Sequence, residues 1–150
     1  MNIEYKEIPF GGAQYKSTID LRYKVLRQPL GLVYDPAVLA LETNDHHLCA
    51  FSESGALLAC MIMTPVDNEI VKMRQFAVNP DFQSVGIGSG LVRYAEEWAK
   101  NSGFDRIELH ARQSAVPFYL KLDYNLSGEE FIEVKIPHRF MFKIVVRHKG

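Results

Sequence analysis

Between residues 69 and 111 the hydrophobic pattern switches from strand to helix and back, and few architectures accommodate that switch. Residues 69–78 read as a strand, which Asn79-Pro80-Asp81 breaks. The stretch Gln83-Ser84-Val85-Gly86-Ile87-Gly88-Ser89-Gly90 follows. Residues 85–101 then carry Ile87, Leu91, Tyr94, Ala95 and Trp98 at the spacing of an amphipathic helix. Gly103 stops that helix, and residues 106–111 read as a buried strand. Two strands joined through a helix make a right-handed parallel crossover.

The chain before this unit has a different grammar. Residues 47–52, 56–64 and 69–78 are strands separated by Glu53-Ser54-Gly55 and Asp67-Asn68, which predicts an antiparallel meander. Ile3, Tyr5 and Glu7 alternate with their neighbours as a short first strand. Residues 15–27 place Ile19, Tyr23 and Leu26 on a helix ended by Pro29 and Gly31, with a loop through Asp35-Pro36 beyond it. A short helix over 115–122 and strands over 130–135 and 140–146 complete the chain. The expected fold is α/β in the α+β sense: a mixed, mainly antiparallel sheet of six to seven strands with one parallel pair and flanking helices. No repeat or shift in composition divides the 150 residues, so a single domain over 1–150 is expected.

The balance of 47% hydrophobic and 23% charged residues excludes a disordered tail, a collagen-like rod and a coiled coil. The formal charge is −1, so no basic excess serves nucleic acid or an anionic membrane surface. No apolar run approaches a membrane span, and the acidic start Met1-Asn2-Ile3-Glu4-Tyr5-Lys6-Glu7 does not resemble a signal peptide. Cys49 and Cys60, the two cysteines, lie in apolar runs and read as reduced core thiols, a strand-to-strand disulfide being the alternative. A cytoplasmic location is expected.

The turn over residues 83–90 carries the chemistry. A helix start presents unpaired N–H groups and the positive end of its dipole, which suits an anion. Glycines let the backbone approach a bulky pyrophosphate, and Gln83, Ser84 and Ser89 offer further donors. A P-loop needs Lys-Ser/Thr after its last glycine, where Leu91 stands here. A dinucleotide fold needs Gly-x-Gly-x-x-Gly, where the register here is Gly86-x-Gly88-x-Gly90. Tight packing of a glycine-rich helix start is the plainer reading of the same residues.

Two segments at this separation resemble the GNAT superfamily of N-acetyltransferases. Gln83-Ser84-Val85-Gly86-Ile87-Gly88 is similar to its Gln/Arg-x-x-Gly-x-Gly/Ala motif, after a strand ending Phe76-Ala77-Val78-Asn79-Pro80. Residues 115–124, from Ala115 through Tyr119 to Asp123-Tyr124, resemble its Ala-x-x-x-Tyr-x-x-x-Gly-Phe/Tyr block. The resemblance extends over nearly the whole chain and implies acetyl-CoA as cosubstrate. It puts the pyrophosphate on backbone amides of Gln83, Ser84, Val85, Gly86, Ile87, Gly88 and Ser89. It puts the pantetheine arm beside Phe76, Ala77 and Val78, and Tyr119 near the sulfur. Asp123 stands where the family has glycine, so a left-handed backbone is expected there. Arg112 stands where many members have a cofactor-contacting Asn, and it is a candidate for a phosphate.

Transfer to an amine needs a neutral nucleophile, a stabilised oxyanion and a proton for the thiolate. A distorted strand end near Phe76-Ala77-Val78 would aim an N–H at the carbonyl oxygen, where the parallel strands part to form a groove. Tyr119 is the candidate general acid, because a phenol pKa near ~10 lies close to that of a thiol. Glu133, on one face with Phe131, and His138, in a turn formed by Ile136-Pro137-His138, are candidate proton acceptors, with His110 and water as alternatives. Packed or solvated side chains are the plainer reading of each. His46-His47 point to opposite faces of a strand and read as no metal site. Arg27 and Gln28 are candidates to hold an acidic or polar acceptor. That acceptor is expected to be a small-molecule or exposed protein amine, with no nucleic acid or membrane partner, and a homodimer through the apolar strand 140–146 is possible. The alternatives are a non-catalytic acyl-CoA sensor of the same fold and a nucleotide-binding protein.

Overall fold

The structure is a computed structural model and describes residues 2–83 and 85–146. Seven strands form a mixed sheet: β1 (Ile3–Ile8), β2 (His46–Ser52), β3 (Leu57–Pro65), β4 (Ile70–Val78), β5 (Arg106–Arg112), β6 (Asn125–Glu133) and β7 (Ile136–Ile144). Their spatial order is β1-β2-β3-β4-β5-β7-β6, and β4 with β5 is a parallel pair among antiparallel neighbours. The helices are α1 (Gly12–Arg22), α2 (Pro36–Ala40), α3 (Ile87–Asn101) and α4 (Val116–Lys121). The chain divides into two compact units, Met1–Thr64 with Gln75–Ala95 and Pro65–Arg74 with Glu96–Gly150, so β4 and α3 each contribute to both.

In the first unit, β1 and β2 pair from Ile3↔Ser52 to Ile8↔His47. The apolar faces of α1, β2 and β3 meet in a core of Ile8, Tyr15, Leu21, Cys49, Phe51, Cys60 and Ala77. Cys49 and Cys60 stand opposite each other in the β2–β3 register, and both are free thiols. Burial pushes Cys49 up to about 12 and Cys60 higher still, so neither is a reactive thiolate. The predicted first helix continues past α1 as a π-helical turn, Tyr23–Arg27, and a 3-10 turn, Gln28–Leu30, which Gly31 closes at φ 68°. The loop predicted through Asp35-Pro36 is instead the start of α2. Asp35 caps it by accepting from the Ala37 N–H at 2.9 Å, and Pro36 supplies its first turn. This helix buries no residue, so it left no hydrophobic period to read.

In the second unit, β5 alternates strictly. Ile107, Leu109 and Ala111 are buried, while Arg106, Glu108, His110 and Arg112 are half-exposed. The parallel register runs from Ile70↔Arg106 to Met73↔Leu109. Two expectations change here. The strand expected over 130–135 begins earlier, at Asn125, because the register shift between Ser127 and Phe131 absorbs Gly128, Glu129 and Glu130. The turn expected at Ile136-Pro137-His138 lies instead at Val134 and Lys135, both left-handed at φ 44° and 70°, and Glu133 pairs with Ile136 around it. Neither residue type favours positive φ, so the turn carried no sequence signal. β7 is flanked by β5 and β6, so the apolar strand 140–146 is not a sheet edge, as a pairing role would need. No helix among the described residues is long and apolar enough to cross a membrane.

Candidate active site

The first unit builds the glycine turn. Gly86 adopts φ 81°, a conformation only glycine takes freely. A Cβ built there would meet no atom within 4 Å, so the space over the turn is open. The Gly90 N–H donates to the Gly86 carbonyl at 3.0 Å, which fixes Gly86 at the start of α3. The N–H groups of Ile87, Gly88 and Ser89 therefore precede any helical acceptor, and they coincide with the positive end of a 15-residue helix dipole. Ile87 sends its side chain into the core and offers only its backbone, while Val85 is exposed. Gln83 donates from Nε2 to the Val78 carbonyl at 3.4 Å. Ser84 lies outside the described residues.

β4 carries the second expected feature, displaced by one residue. Its distortion is at Gln75, with φ 54°, just before Phe76-Ala77-Val78. Ala77 is buried in the core, and Phe76 and Val78 are half-buried. The Gln75 side chain accepts from the Tyr34 hydroxyl at 2.7 Å. Neither the exact position of this kink nor Tyr34 was marked by the sequence, because glutamine has no preference for positive φ.

The second unit holds the titratable candidates. Tyr119 sits on α4, buried, with its ring edge-on to Phe118 and Tyr124 at centroid distances of 5.1 and 5.6 Å. Burial holds its phenol well above the usual range. The simple match to an aqueous thiol therefore fails for the phenol alone, although burial raises the pKa of a thiol in the same direction. Asp123 is left-handed at φ 69°, as expected, and lets the Tyr124 N–H close α4 onto the Tyr119 carbonyl at 3.0 Å. Arg112 ends β5 opposite His138 in the β5–β7 register.

The three proton-accepting candidates converge. His110 Nδ1 lies 3.0 Å from Glu133 Oε1, and His138 Nε2 lies 3.7 Å from Glu133 Oε2. Phe131 packs edge-on to His110 and stacks on His138. His138 is on β7 and buried, not in a loop, since the β6–β7 turn closes before it. Its Nδ1 faces the Ile136 carbonyl at 2.9 Å, and a carbonyl only accepts, so Nδ1 carries the proton. By the same reasoning the neutral form of His110 donates from Nδ1 to Glu133 and keeps its lone pair on Nε2. Burial, the largest influence on Glu133, pushes its carboxyl up. The hydrogen bond and charge of His110, with His138 and Lys72, outweigh it and hold the group below its usual value. His46 and His47 behave as their alternation requires: His46 meets Glu7, and His47 is buried against the Glu42 carbonyl.

The profile of the acetyltransferase (GNAT) family matches residues 16–124, a run that contains both the glycine turn and Tyr119. The chain belongs to that family. Among sequence relatives, the uncharacterized protein YyaT of Bacillus subtilis is 34% identical over 77 residues, 51% of this chain and 52% of that protein. The chain spans about half the length of the curated relatives it matches. Among solved structures, a protein of Lactobacillus plantarum shares the fold at TM-score 0.85 and 19% identity, over 96% of this chain and 99% of the other. A GNAT family acetyltransferase of Elizabethkingia anophelis, solved with acetyl-CoA bound, shares it at TM-score 0.71 and 18% identity, over 95% and 98%.

Proposed function

We propose that this chain is an N-acetyltransferase that moves an acetyl group from acetyl-CoA to a primary amine by direct attack in a ternary complex. The observation that carries the proposal is the start of α3. There a left-handed Gly86 leaves three N–H donors without helical acceptors beneath open space, within the run that matches the family. A diphosphate satisfies those donors and the helix dipole together. Acetyl-CoA supplies an acyl carbonyl activated as a thioester. Main-chain groups of Phe76 and Val78 would hold the pantetheine arm, and an N–H beside the kink at Gln75 would serve the acyl carbonyl oxygen. Arg112 is assigned to a cofactor phosphate.

Protons follow from the second unit. Tyr119, protonated throughout the neutral range, donates to the departing thiolate. His110 Nε2 accepts the amine proton, and Glu133 fixes its tautomer through Nδ1. Tyr119→Phe lowers kcat roughly 10²-fold or more while leaving CoA affinity unchanged. Equal kcat at saturating acceptor removes the acid role. Gly86→Asp sets a carboxylate in the diphosphate space and abolishes CoA binding, measured by calorimetry. Retained affinity overturns the site, and tight CoA binding without turnover of any amine identifies the sensor instead.

A further inference from the structure

We propose that the acceptor amine also carries a carboxylate, and that Arg27 receives it. The inference rests on the acetyltransferase reading and names its substrate class: amino acids or similarly small amino carboxylates.

Two guanidinium groups flank one phenol ring in the first unit. Arg22 lies 4.9 Å from the centroid of Tyr34 and Arg27 lies 4.8 Å from it. Their charges are balanced very differently. Arg22 is buried and held by Glu42 through paired bonds of 2.8 and 2.7 Å, with the Tyr15 hydroxyl donating to the same carboxylate at 2.8 Å. Arg27 is half-buried, and its polar contact is one long bond of 3.3 Å from Nη1 to the Leu26 carbonyl. Among the described residues no carboxylate pairs with it. Glu42 balances Arg22 alone, and the charge without a counter-ion falls on Arg27.

The surroundings hold that charge ready. Tyr34 supports the guanidinium against its ring, which leaves the planar fork of N–H donors to match a carboxylate. The residue is presented at the end of a π-helical turn, Tyr23–Arg27, a rare geometry that is frequent at functional sites. The platform is itself anchored toward the chemistry. The Tyr34 hydroxyl donates to Gln75, the kinked residue directly before Phe76-Ala77-Val78, which flank the cofactor arm in the proposed mechanism. The cation thus stands two side chains from the backbone assigned to the thioester. A bare amine gains nothing from Arg27 and meets an unbalanced positive charge, whereas an amino carboxylate cancels it. An Arg27 that merely stacks on Tyr34 would confer no such preference.

The test compares thiol release from acetyl-CoA with α-amino acids and short ω-amino acids, each beside its amide and its decarboxylated amine. The acids are favoured by at least about 10-fold in kcat/KM, mostly through KM. Arg27→Gln removes the preference, and Arg27→Lys keeps part of it, since an ammonium supplies charge without the fork. The rise in melting temperature with CoA is unchanged in both variants, which shows that they fold and hold the cofactor. Equal use of acids and amides, a preference that survives Arg27→Gln, or CoA binding without turnover of any amino carboxylate overturns the inference. Loss of CoA binding by the unaltered protein instead brings down the acetyltransferase reading, and this inference with it.

Discussion

A Cβ at position 90 would stand 2.7 Å from Cζ of Tyr5, closer than real Cβ contacts allow. Gly90 is thus required by packing, while Gly86 is required by its left-handed backbone under open space. The sequence shows the two as members of one glycine cluster, and only their surroundings separate the tasks. Gly90→Ala is expected to destabilise the fold by about 1–3 kcal/mol through overpacking. Urea unfolding checks this, and Tyr5→Ala in the same chain recovers part of the loss. At this scale the two family motifs were legible in the residues, and the left-handed Asp123 followed from the family's glycine at that position. A distortion near Phe76 was expected, but its place at Gln75 was not legible, because it answers to tertiary demand and to no local preference.

Among the elements, the most consequential tie is that between α1 and the 3-10 turn Leu41–Asn44, made by Arg22 and Glu42. Both side chains are nearly inaccessible, at 1% and 6%. Burial, the strongest influence on Glu42, pushes its carboxyl up, but the paired bonds from Arg22, with Tyr15 and His47, bring it below its usual value. A carboxyl lowered on folding stabilises the native state at every pH above its unfolded value of about 4.3. That contribution is lost as pH falls through the folded value. Glu42→Gln is expected to cost about 3–5 kcal/mol at neutral pH, since it leaves Arg22 buried without its counter-charge. It should also flatten the acid limb of a stability–pH curve below about pH 4, which chemical denaturation at a series of pH values would show. Elements with a strong period were readable from sequence: the meander, α3 and β5 all lie close to their expected bounds. α2 and the β6–β7 turn were not, the first for want of a buried face and the second for want of turn residues.

For the molecule as a whole, the parallel β4–β5 pair within the order β1-β2-β3-β4-β5-β7-β6 follows from the change of pattern between residues 69 and 111, whereas the place of β7 between β5 and β6 does not. If the start of α3 binds CoA in the folded state alone, a ligand concentration 100 times Kd adds about 2.7 kcal/mol of stability. That corresponds to a melting temperature roughly 5–10 °C higher for a chain of this size. ATP at equal concentration should give a smaller rise, since only the diphosphate is shared, and an equal rise would favour the nucleotide-binding alternative. A scanning fluorimetry titration with both ligands checks it.

The sequence by itself determined the fold class, the family and the glycine turn proposed for the anion, because each of these is written in local pattern: hydrophobic period, glycine placement and two motifs at fixed separation. Tertiary structure alone decided that His110, Glu133 and His138 share one cluster, that His138 is buried in a strand, and that Arg27 lacks the acid that Arg22 has. Those relations join residues up to tens of positions apart, and their energies depend on distance, burial and the count of nearby charges. None of these is a property of any one segment of chain, so they exist only once the strands have paired.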